Sequence, residues 1–227
     1  MARPTVDAQI RVRRHPERAS YDTGDIDAIL DAGFICHLAV VRDGRPVVIP
    51  TLYARDGDRL LVHGSPAAGM FRDAARIADV CVTVTHVDGL VLARSAFSHS
   101  INYRSVVIHG TARQITDDGE KTEALGVIVD HVARGQWDTV RRPTPEELRQ
   151  TDVWSVTWTE ASAKVRSGPP KDDEADLDLP IWAGVLPLVT TAGALIPDQF
   201  VAPDVAPPDH LLSWSPASSG AGDTSGK

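Results

Sequence analysis

Two stretches of the sequence carry polar side chains of the kind that bind phosphate. The first is SHSINYRS (residues 98–105), in which Asn102, Arg104 and Ser105 would supply amide, guanidinium and hydroxyl donors from one strand. An arginine in a strand favours bidentate pairing with a phosphate or a carboxylate. An ion pair between Arg104 and one of the 31 acidic residues explains the pattern equally well, so both interpretations stay open.

The second stretch is His63-Gly64-Ser65, where a predicted strand leads into a predicted helix. The first N–H groups of a helix are unpaired and the helix dipole is positive there, so an anion beside Ser65 would be stabilised. Gly64 would let a ligand approach the backbone closely. The alternative interpretation is that Ser65 only caps its helix.

The eight histidines suggest metal or haem binding as another possibility. None of them shows an HxH or HExxH spacing, so no metal site is predicted. Haem ligation by His63, His99 or another histidine remains an alternative. Ser65 lies outside any G-x-S-x-G motif, which argues against a hydrolase. Tyr53 and Tyr103 could donate a proton to a bound substrate, or could only pack and hydrogen-bond.

The composition is that of a globular protein, with 42% hydrophobic and 24% charged residues. A net charge of −8 argues against a nucleic-acid surface, because phosphate binding needs a clustered basic face. No signal peptide is recognised, so Cys36 and Cys81 are predicted to be buried, reduced thiols. The uncharged segment from Ile181 to Pro197 contains two prolines and two glycines and is a poor membrane span. We therefore expect a soluble, cytoplasmic protein.

The elements that must position these residues are mostly β-strands. Asp43-Gly44 and Asp88-Gly89 are each predicted to be the turn of a β-hairpin. Tight turns join antiparallel neighbours, so roughly seven strands with a few helices predict a small antiparallel barrel of the α+β, mainly β class. The helices are expected after a cap at Thr23 or Asp25, from Ser65 to Ile77, from Asp118 to Ala133, and from Pro145 to Gln150.

The predicted organisation has three parts. Residues 1–21 form an N-terminal arm, residues 22–197 a single barrel domain, and residues 198–227 a mobile tail rich in Pro, Ser and Gly. The segment that starts at Ile181 is predicted to form two short strands joined by a turn.

Three blocks of the sequence are recognisable in this order: IPTLYARDGDRLLVHGS, VCVTVTHVDGLVLARSAFSHSINYRSVVIHGTAR and SAKVRSGPPKDDEADLDLPIWAGVLPL. Together they resemble the pyridoxamine 5′-phosphate oxidase-like superfamily of FMN-binding split β-barrels. The resemblance is greatest to its flavin-nucleotide-binding branch, which includes nitroimidazole-resistance-like proteins. It covers about Asp22 to Leu188.

The resemblance implies a homodimer that binds FMN at the interface between its subunits. Residues that match the family's cofactor contacts lie on one strand (Val48, Ile49, Pro50, Thr51, Leu52 and Tyr53), at the following corner (His63, Gly64, Ser65 and Arg72), on a later strand (Asn102, Tyr103, Arg104 and Ser105) and in the last block (Lys164, Arg166 and Trp182). Many relatives have a basic pair after the corner, where this chain has Gly69-Met70 and Arg72 is the nearest cation.

The function implied is that of an FMN-dependent oxidoreductase that transfers hydride or electrons to or from a small aromatic or nitro compound. The alternative is a non-catalytic protein that binds or stores flavin or haem. No catalytic residue and no nucleic-acid or membrane partner is predicted.

Overall fold

The computed structural model describes residues 10–66 and 77–216. Within these residues eight strands are found: β1 (Ala19–Ser20), β2 (Ile35–Arg42), β3 (Arg45–Asp56), β4 (Arg59–Gly64), β5 (Ile77–Leu92), β6 (Ser100–Ile115), β7 (Asp152–Arg166) and β8 (Gly184–Pro187). The helices described are α1 (Thr23–Asp31), α2 (Asp118–Val132), α3 (Pro145–Arg149) and α4 (Asp209–Leu212). None of the described helices is long and apolar enough to cross a lipid bilayer.

Six strands close into an antiparallel barrel in the order β7-β4-β3-β2-β5-β6, and β6 pairs with β7 to complete the ring. Strands β1 and β8 lie outside the ring and pair with β7 and β5. Inward-facing residues from all parts of the ring, such as Leu38, Val82 and Ile108, form the buried core. The predicted antiparallel split barrel with a few peripheral helices is confirmed.

The turn between β2 and β3 forms as the sequence predicts. Asp43 and Gly44 both have positive φ, 50° and 71°. A two-residue type I′ turn requires this conformation and matches the twist of the two strands. The register that follows pairs Arg42 with Arg45 and runs to Ile35 opposite Leu52.

The predicted hairpin turn at Asp88-Gly89 is wrong. Strand β5 continues through both residues, and a β-bulge shifts its register with β6 between Val87 and Gly89. A Cβ on Gly89 would lie 3.1 Å from the Leu186 carbonyl oxygen, so this glycine allows β8 to approach closely. The glycine therefore serves strand packing instead of a turn.

The helices agree with the sequence in position but not in every detail. The N-cap of α1 is Asp22, which accepts from Gly24 N and Asp25 N, and not Thr23 or Asp25 as expected. Helices α2 and α3 match their predicted ranges to within one residue. Most of the helix predicted over Ser65–Ile77 lies outside the described residues, and Ile77 begins β5.

The segment after Ile181 forms one strand, β8, and the predicted second strand is absent from residues 188–197. Strand β8 pairs with Gly89–Leu92, and beyond Pro187 the chain leaves the sheet. The described part of the tail contacts the body again at α4, where His210 Nε2 lies 2.8 Å from Gln136 Oε1. The three-part domain organisation stays a prediction.

Cys36 and Cys81 are free thiols, as predicted, but only Cys36 is buried and Cys81 is half-buried. Burial raises the pKa of the Cys36 thiol to about 12, so this cysteine is unreactive at neutral pH.

Candidate functional site

The predicted cofactor residues of β3 lie on both faces of that strand. Val48 and Pro50 point outward and are exposed, whereas Ile49, Thr51 and Leu52 are half-buried. Val48 pairs with Ala39 and Pro50 with His37, so the outer side of β3 continues onto β2. A ligand could therefore reach Val48 and Pro50 from this outer side.

Tyr53 does not fit its predicted role. Its side chain is fully buried, and the hydroxyl donates to the Leu30 carbonyl oxygen at 2.5 Å. Burial raises the pKa of Tyr53, so it stays protonated. The ring packs against His131, with ring centroids 5.5 Å apart. Tyr53 therefore anchors α1 to the barrel and presents no surface to a cofactor.

The corner after β4 contains a histidine with an unsatisfied nitrogen. His63 Nδ1 is buried and has no hydrogen-bond partner among residues 10–66 and 77–216, and burial lowers the pKa of His63. Gly64 is half-buried and Ser65 is exposed. Arg72, the cation predicted to hold a phosphate here, lies outside the described residues.

Several predicted cofactor residues come together where β6 begins and β7 ends. Asn102 and Arg166 are both buried, and Arg166 Nη1 donates to Asn102 Oδ1. Arg166 also donates to the carbonyl oxygens of Gly168 and Pro169, each at 3.3 Å. Its acceptors are therefore all neutral. Burial, and next the neighbouring Arg18 charge, lower the pKa of Arg166.

Other predicted residues surround this pair. Tyr103 lies opposite Arg166, and Ser105 lies opposite Lys164, to whose carbonyl oxygen it donates at 3.3 Å. Trp182 is 68% exposed, and its ring lies over Gly184, where an added Cβ would come within 2.9 Å of the ring. We call Asn102, Tyr103, Ser105, Lys164 and Arg166 the β6–β7 group.

Arg104 is one residue away from both Tyr103 and Ser105 on β6, so it points to the opposite face of the sheet from these two. It forms a two-bond ion pair with Asp88, with Nε–Oδ2 and Nη2–Oδ1 distances of 3.0 Å each. The sequence left two interpretations of Arg104 open, a phosphate contact and an ion pair. The structure contains the ion pair. Asp88 was not recognised as this partner because its Asp-Gly sequence indicated a turn.

Arg104 and Asp88 line a cleft of about 670 Å³, a size typical of small-molecule sites. One wall comes from the barrel and includes Phe34, Ile35 and His86, and the other comes from residues 188–192 and 214–216. His86 Nε2 lies 2.9 Å from the Ile29 carbonyl oxygen. The sequence analysis assigned no role to the segment that forms the second wall.

Within one chain, the predicted cofactor residues at the His63 corner do not come together with those of the β6–β7 group. Gly64 pairs with Asp152, the first residue of β7, whereas Tyr103 pairs with Arg166, the last. At about 3.3 Å per residue, this 15-residue strand is about 45 Å long. The corner at His63 and the β6–β7 group therefore lie near opposite ends of β7.

The described residues contain no cluster of three or more His, Cys, Asp or Glu side chains able to hold a metal ion. The cofactor contacts predicted from the sequence, apart from that of the Tyr53 side chain, stay predictions.

Comparison with known proteins gives a family match over residues 22–165, to the model described as pyridoxamine 5′-phosphate oxidase. None of the curated proteins matches the chain.

Among solved structures, the chain is similar to a flavocytochrome from Azotobacter vinelandii, with 41% identity over 91% of this chain and 96% of that one and a TM-score of 0.85. It is also similar to an FAD and haem binding protein from Mycobacterium smegmatis, with 33% identity over 88% and 98% of the two chains and a TM-score of 0.83. A proposed 5-nitroimidazole antibiotic resistance protein from Bacteroides thetaiotaomicron shares the fold, with 24% identity over 65% and 86% of the chains and a TM-score of 0.53.

Proposed function

Because this chain belongs to the pyridoxamine 5′-phosphate oxidase family, we propose that it is a redox protein that binds a flavin nucleotide and a haem. The observation that carries the proposal is the extent of the likeness to the flavocytochrome. It covers 91% of this chain, whereas the family model matches residues 22–165. The likeness therefore includes sequence beyond the family barrel.

The β6–β7 group suits the phosphate of a flavin nucleotide. No ion pair joins Lys164 or Arg166 to a carboxylate within residues 10–66 and 77–216. A buried guanidinium with only neutral acceptors is costly and gains most from an anion. Lys164 and Arg166 would hold the phosphate, and Tyr103 and Ser105 would offer hydroxyl groups beside it.

The second half of the flavin site would come from another copy of the chain. The outer side of β3 and the corner at His63 lie far along β7 from the β6–β7 group. In a two-fold dimer each surface of one copy can face the complementary surface of the other. The proposed assembly is a homodimer with two equivalent flavin sites at its interface.

Two histidines fit a haem, for different reasons. His99 is exposed, and its Nδ1 lies 2.8 Å from the Ser95 carbonyl oxygen, which orients the ring and leaves Nε2 for a ligand. His63 has a buried Nδ1 without a partner in the part of the chain that the structure describes, and its lowered pKa keeps the imidazole in the neutral form that binds metal. Either residue would hold the iron through one ring nitrogen.

When bound, a flavin exchanges hydride or single electrons, and a haem iron exchanges one electron at a time. The chain itself would bind, orient and shield these groups. Reduction of a small aromatic or nitro compound is the finer activity expected from the sequence. Its only support among the comparisons is the fold shared with the resistance protein. Storage of flavin or haem without turnover is the second candidate.

The test begins with the absorption spectrum of the purified protein, followed by denaturation and chromatography of the released flavin. This separates FAD from FMN, and a pyridine haemochrome assay measures haem. We expect flavin bands together with a Soret band. A protein that takes up neither group after reconstitution contradicts the proposal.

The haem ligand is then identified with His63→Gln and His99→Gln, and His109→Gln serves as a control on β6. One of the first two should lose haem, His99→Gln should keep flavin because His99 lies outside the proposed flavin site, and the control should keep both groups. Adding NADH or NADPH without oxygen, followed by an electron acceptor, separates an electron carrier from a storage protein. If the protein retains flavin but no reductant bleaches the absorbance of that flavin, a redox role is excluded.

A further inference from the structure

The inner face of the β5–β6 ladder changes from apolar to polar at one end of the barrel. Val84 pairs with Val106, and both side chains are buried in the core. The next pair on the same face is His86 with Arg104. Both of these residues line the cleft of about 670 Å³. The cleft therefore opens at the mouth of the barrel, a common place for a small-molecule site.

The His86–Arg104 pair offers one acceptor and one donor to a ligand. His86 Nε2 lies 2.9 Å from the Ile29 carbonyl oxygen, which can only accept, so Nε2 carries the proton and Nδ1 of the neutral ring is an acceptor. Arg104 uses Nε and Nη2 on Asp88, and no acceptor for its Nη1 is found among residues 10–66 and 77–216. The His86 ring has little room to turn, because a Cβ added to Gly33 would come within 2.6 Å of its Cε1.

The walls of the cleft offer apolar surface to a flat molecule. Phe34 and Val87 of the barrel wall and Leu188 of the opposite wall are all exposed. Trp214 also lies in the opposite wall, and its indole is held by a hydrogen bond of 2.7 Å from Nε1 to the Val132 carbonyl oxygen. Aromatic side chains on both walls favour a ligand with an aromatic ring, which would bury this exposed surface.

The charge of the cleft argues against a phosphate or a carboxylate. Arg104 is the one Lys or Arg among the described residues that line it, and Asp88 already pairs with that guanidinium. An anion would lie near the Asp88 carboxylate, whereas an uncharged ligand meets no such repulsion. Tyr103 and Ser105, which would lie beside the flavin phosphate, point to the other face of the sheet. The cleft is therefore distinct from the proposed flavin site.

We propose that the cleft binds a small uncharged aromatic molecule that carries a hydrogen-bond donor next to an acceptor, such as an aromatic amide or a ring lactam. The donor would bond to His86 Nδ1 and the acceptor to Arg104 Nη1, and the ring would lie between Phe34 and Trp214. A volume of about 670 Å³ is large enough for a bicyclic ring system. The inference does not depend on the binding of flavin or haem.

The experiment uses naphthalene-2-carboxamide as the probe and the indole N–H signal of Trp214 as the readout. The signal is assigned in the nitrogen-15 spectrum by its loss in Trp214→Phe, and the probe is titrated into wild-type protein stripped of cofactor. We expect a saturable shift of this signal. Naphthalene-2-carboxylate has the same shape and a negative charge, and it should bind about tenfold more weakly. The absence of a saturable shift, or equal affinity for the carboxylate, overturns the proposal.

Val189→Trp tests the position of the site. Val189 lies in the second wall and is 76% exposed, so a larger side chain is tolerated by the fold and fills the cleft. Binding of the carboxamide should fall by about tenfold or more. Val205→Trp is the matched control, because Val205 is 60% exposed and lies outside the lining of the cleft. The control should keep wild-type affinity, and equal affinities in the two variants would contradict a site in the cleft.

His86→Phe tests the polar end of the cleft. It should weaken binding of the carboxamide by about threefold to tenfold, because one hydrogen bond to the ligand is lost. Binding of 2-methylnaphthalene, which has no hydrogen-bonding group, should be unchanged. Loss of affinity for both probes, or for neither, contradicts the contact assigned to His86.

Adding FAD, FMN or haemin to the carboxamide complex shows whether a cofactor uses the same space. We expect the carboxamide to stay bound. Its displacement would assign the cleft to that cofactor and overturn the inference. A protein that binds the carboxamide but takes up no flavin and no haem would refute the proposed function and leave this inference standing.

Discussion

Two arginines at adjacent positions of the β6–β7 ladder have opposite electrostatic surroundings. Arg104 lies opposite Val165 and is paired with the Asp88 carboxylate by two hydrogen bonds. Arg166 lies opposite Tyr103 and donates only to an amide oxygen and two carbonyl oxygens. The first cation is neutralised within the chain, whereas the second is buried without a counter-charge among the described residues.

The difference follows from the alternation of side chains along a strand. One step in register moves a side chain to the other face of the sheet. Arg104 therefore shares a face with Val106 of the core and reaches the cleft, and Arg166 shares the outer face with Lys164. Sequence alone gave the two arginines the same predicted role, but only Arg104 has a carboxylate partner among the described residues.

The largest effect is expected from Arg166→Gln. A charged hydrogen bond contributes about 1.5–3 kcal/mol, so flavin affinity should fall by about tenfold to a hundredfold. Isothermal titration of the apoprotein with FAD and FMN measures the change. Arg104→Gln is the matched control and should change affinity by no more than about twofold, because Asp88 already occupies that guanidinium. A larger loss of flavin affinity in Arg104→Gln than in Arg166→Gln would show that Arg104 is the arginine that binds the flavin.

Asn102→Asp should make Arg166 resemble Arg104 by giving it a carboxylate partner. The new charge would compete with phosphate, so we expect flavin affinity to fall by about tenfold. The Gly168 carbonyl oxygen would still accept from Arg166, which limits the structural damage. Thermal unfolding of the apoprotein should show stability that is unchanged or higher. A coupled loss of affinity and stability would indicate that the site had simply collapsed.

Asp88→Asn tests the paired arginine. Loss of the carboxylate leaves the partly buried Arg104 without its counter-charge, and the free energy of unfolding should fall by about 1–2 kcal/mol. Urea denaturation measures this change, and adding Arg104→Gln should recover part of the loss, as expected for a coupled pair. Independent, additive effects would show that the ion pair contributes little.

The smallest effect concerns His63, a half-buried residue whose Nδ1 is buried without a hydrogen-bond partner among the described residues. Burial lowers its pKa in the folded state, so the unfolded chain binds the proton more readily. The stability that depends on neutral His63 is therefore present above the unfolded pKa of about 6.5 and decreases as the pH falls below it. Urea midpoints measured between pH 7.5 and 5 should show this decrease, and His63→Gln should reduce it. The same slope in the variant would assign the acid sensitivity to other groups.

Much of the fold could be predicted from local patterns. The Asp43-Gly44 turn and the range of α2 each depend on residues close in sequence, and each was confirmed. The site was less predictable, because its polar groups find partners from distant segments. Tyr53 bonds to Leu30, and Arg166 to Asn102.

The Asp88-Gly89 error shows where local reasoning stops. The dipeptide is compatible with a hairpin turn, but β8 arrives from almost a hundred residues further on and pairs with Gly89–Leu92. That pairing needs an extended strand and a glycine without a Cβ at the point of contact. No pattern within a short window contains this information.

The sequence by itself determined an antiparallel barrel, because turn propensity is a property of neighbouring residues, and the resemblance of three sequence blocks indicated the family. The tertiary structure decided which of its polar side chains are already paired and which remain available. Those assignments depend on strand register around a closed ring, and register joins residues that are far apart in the chain.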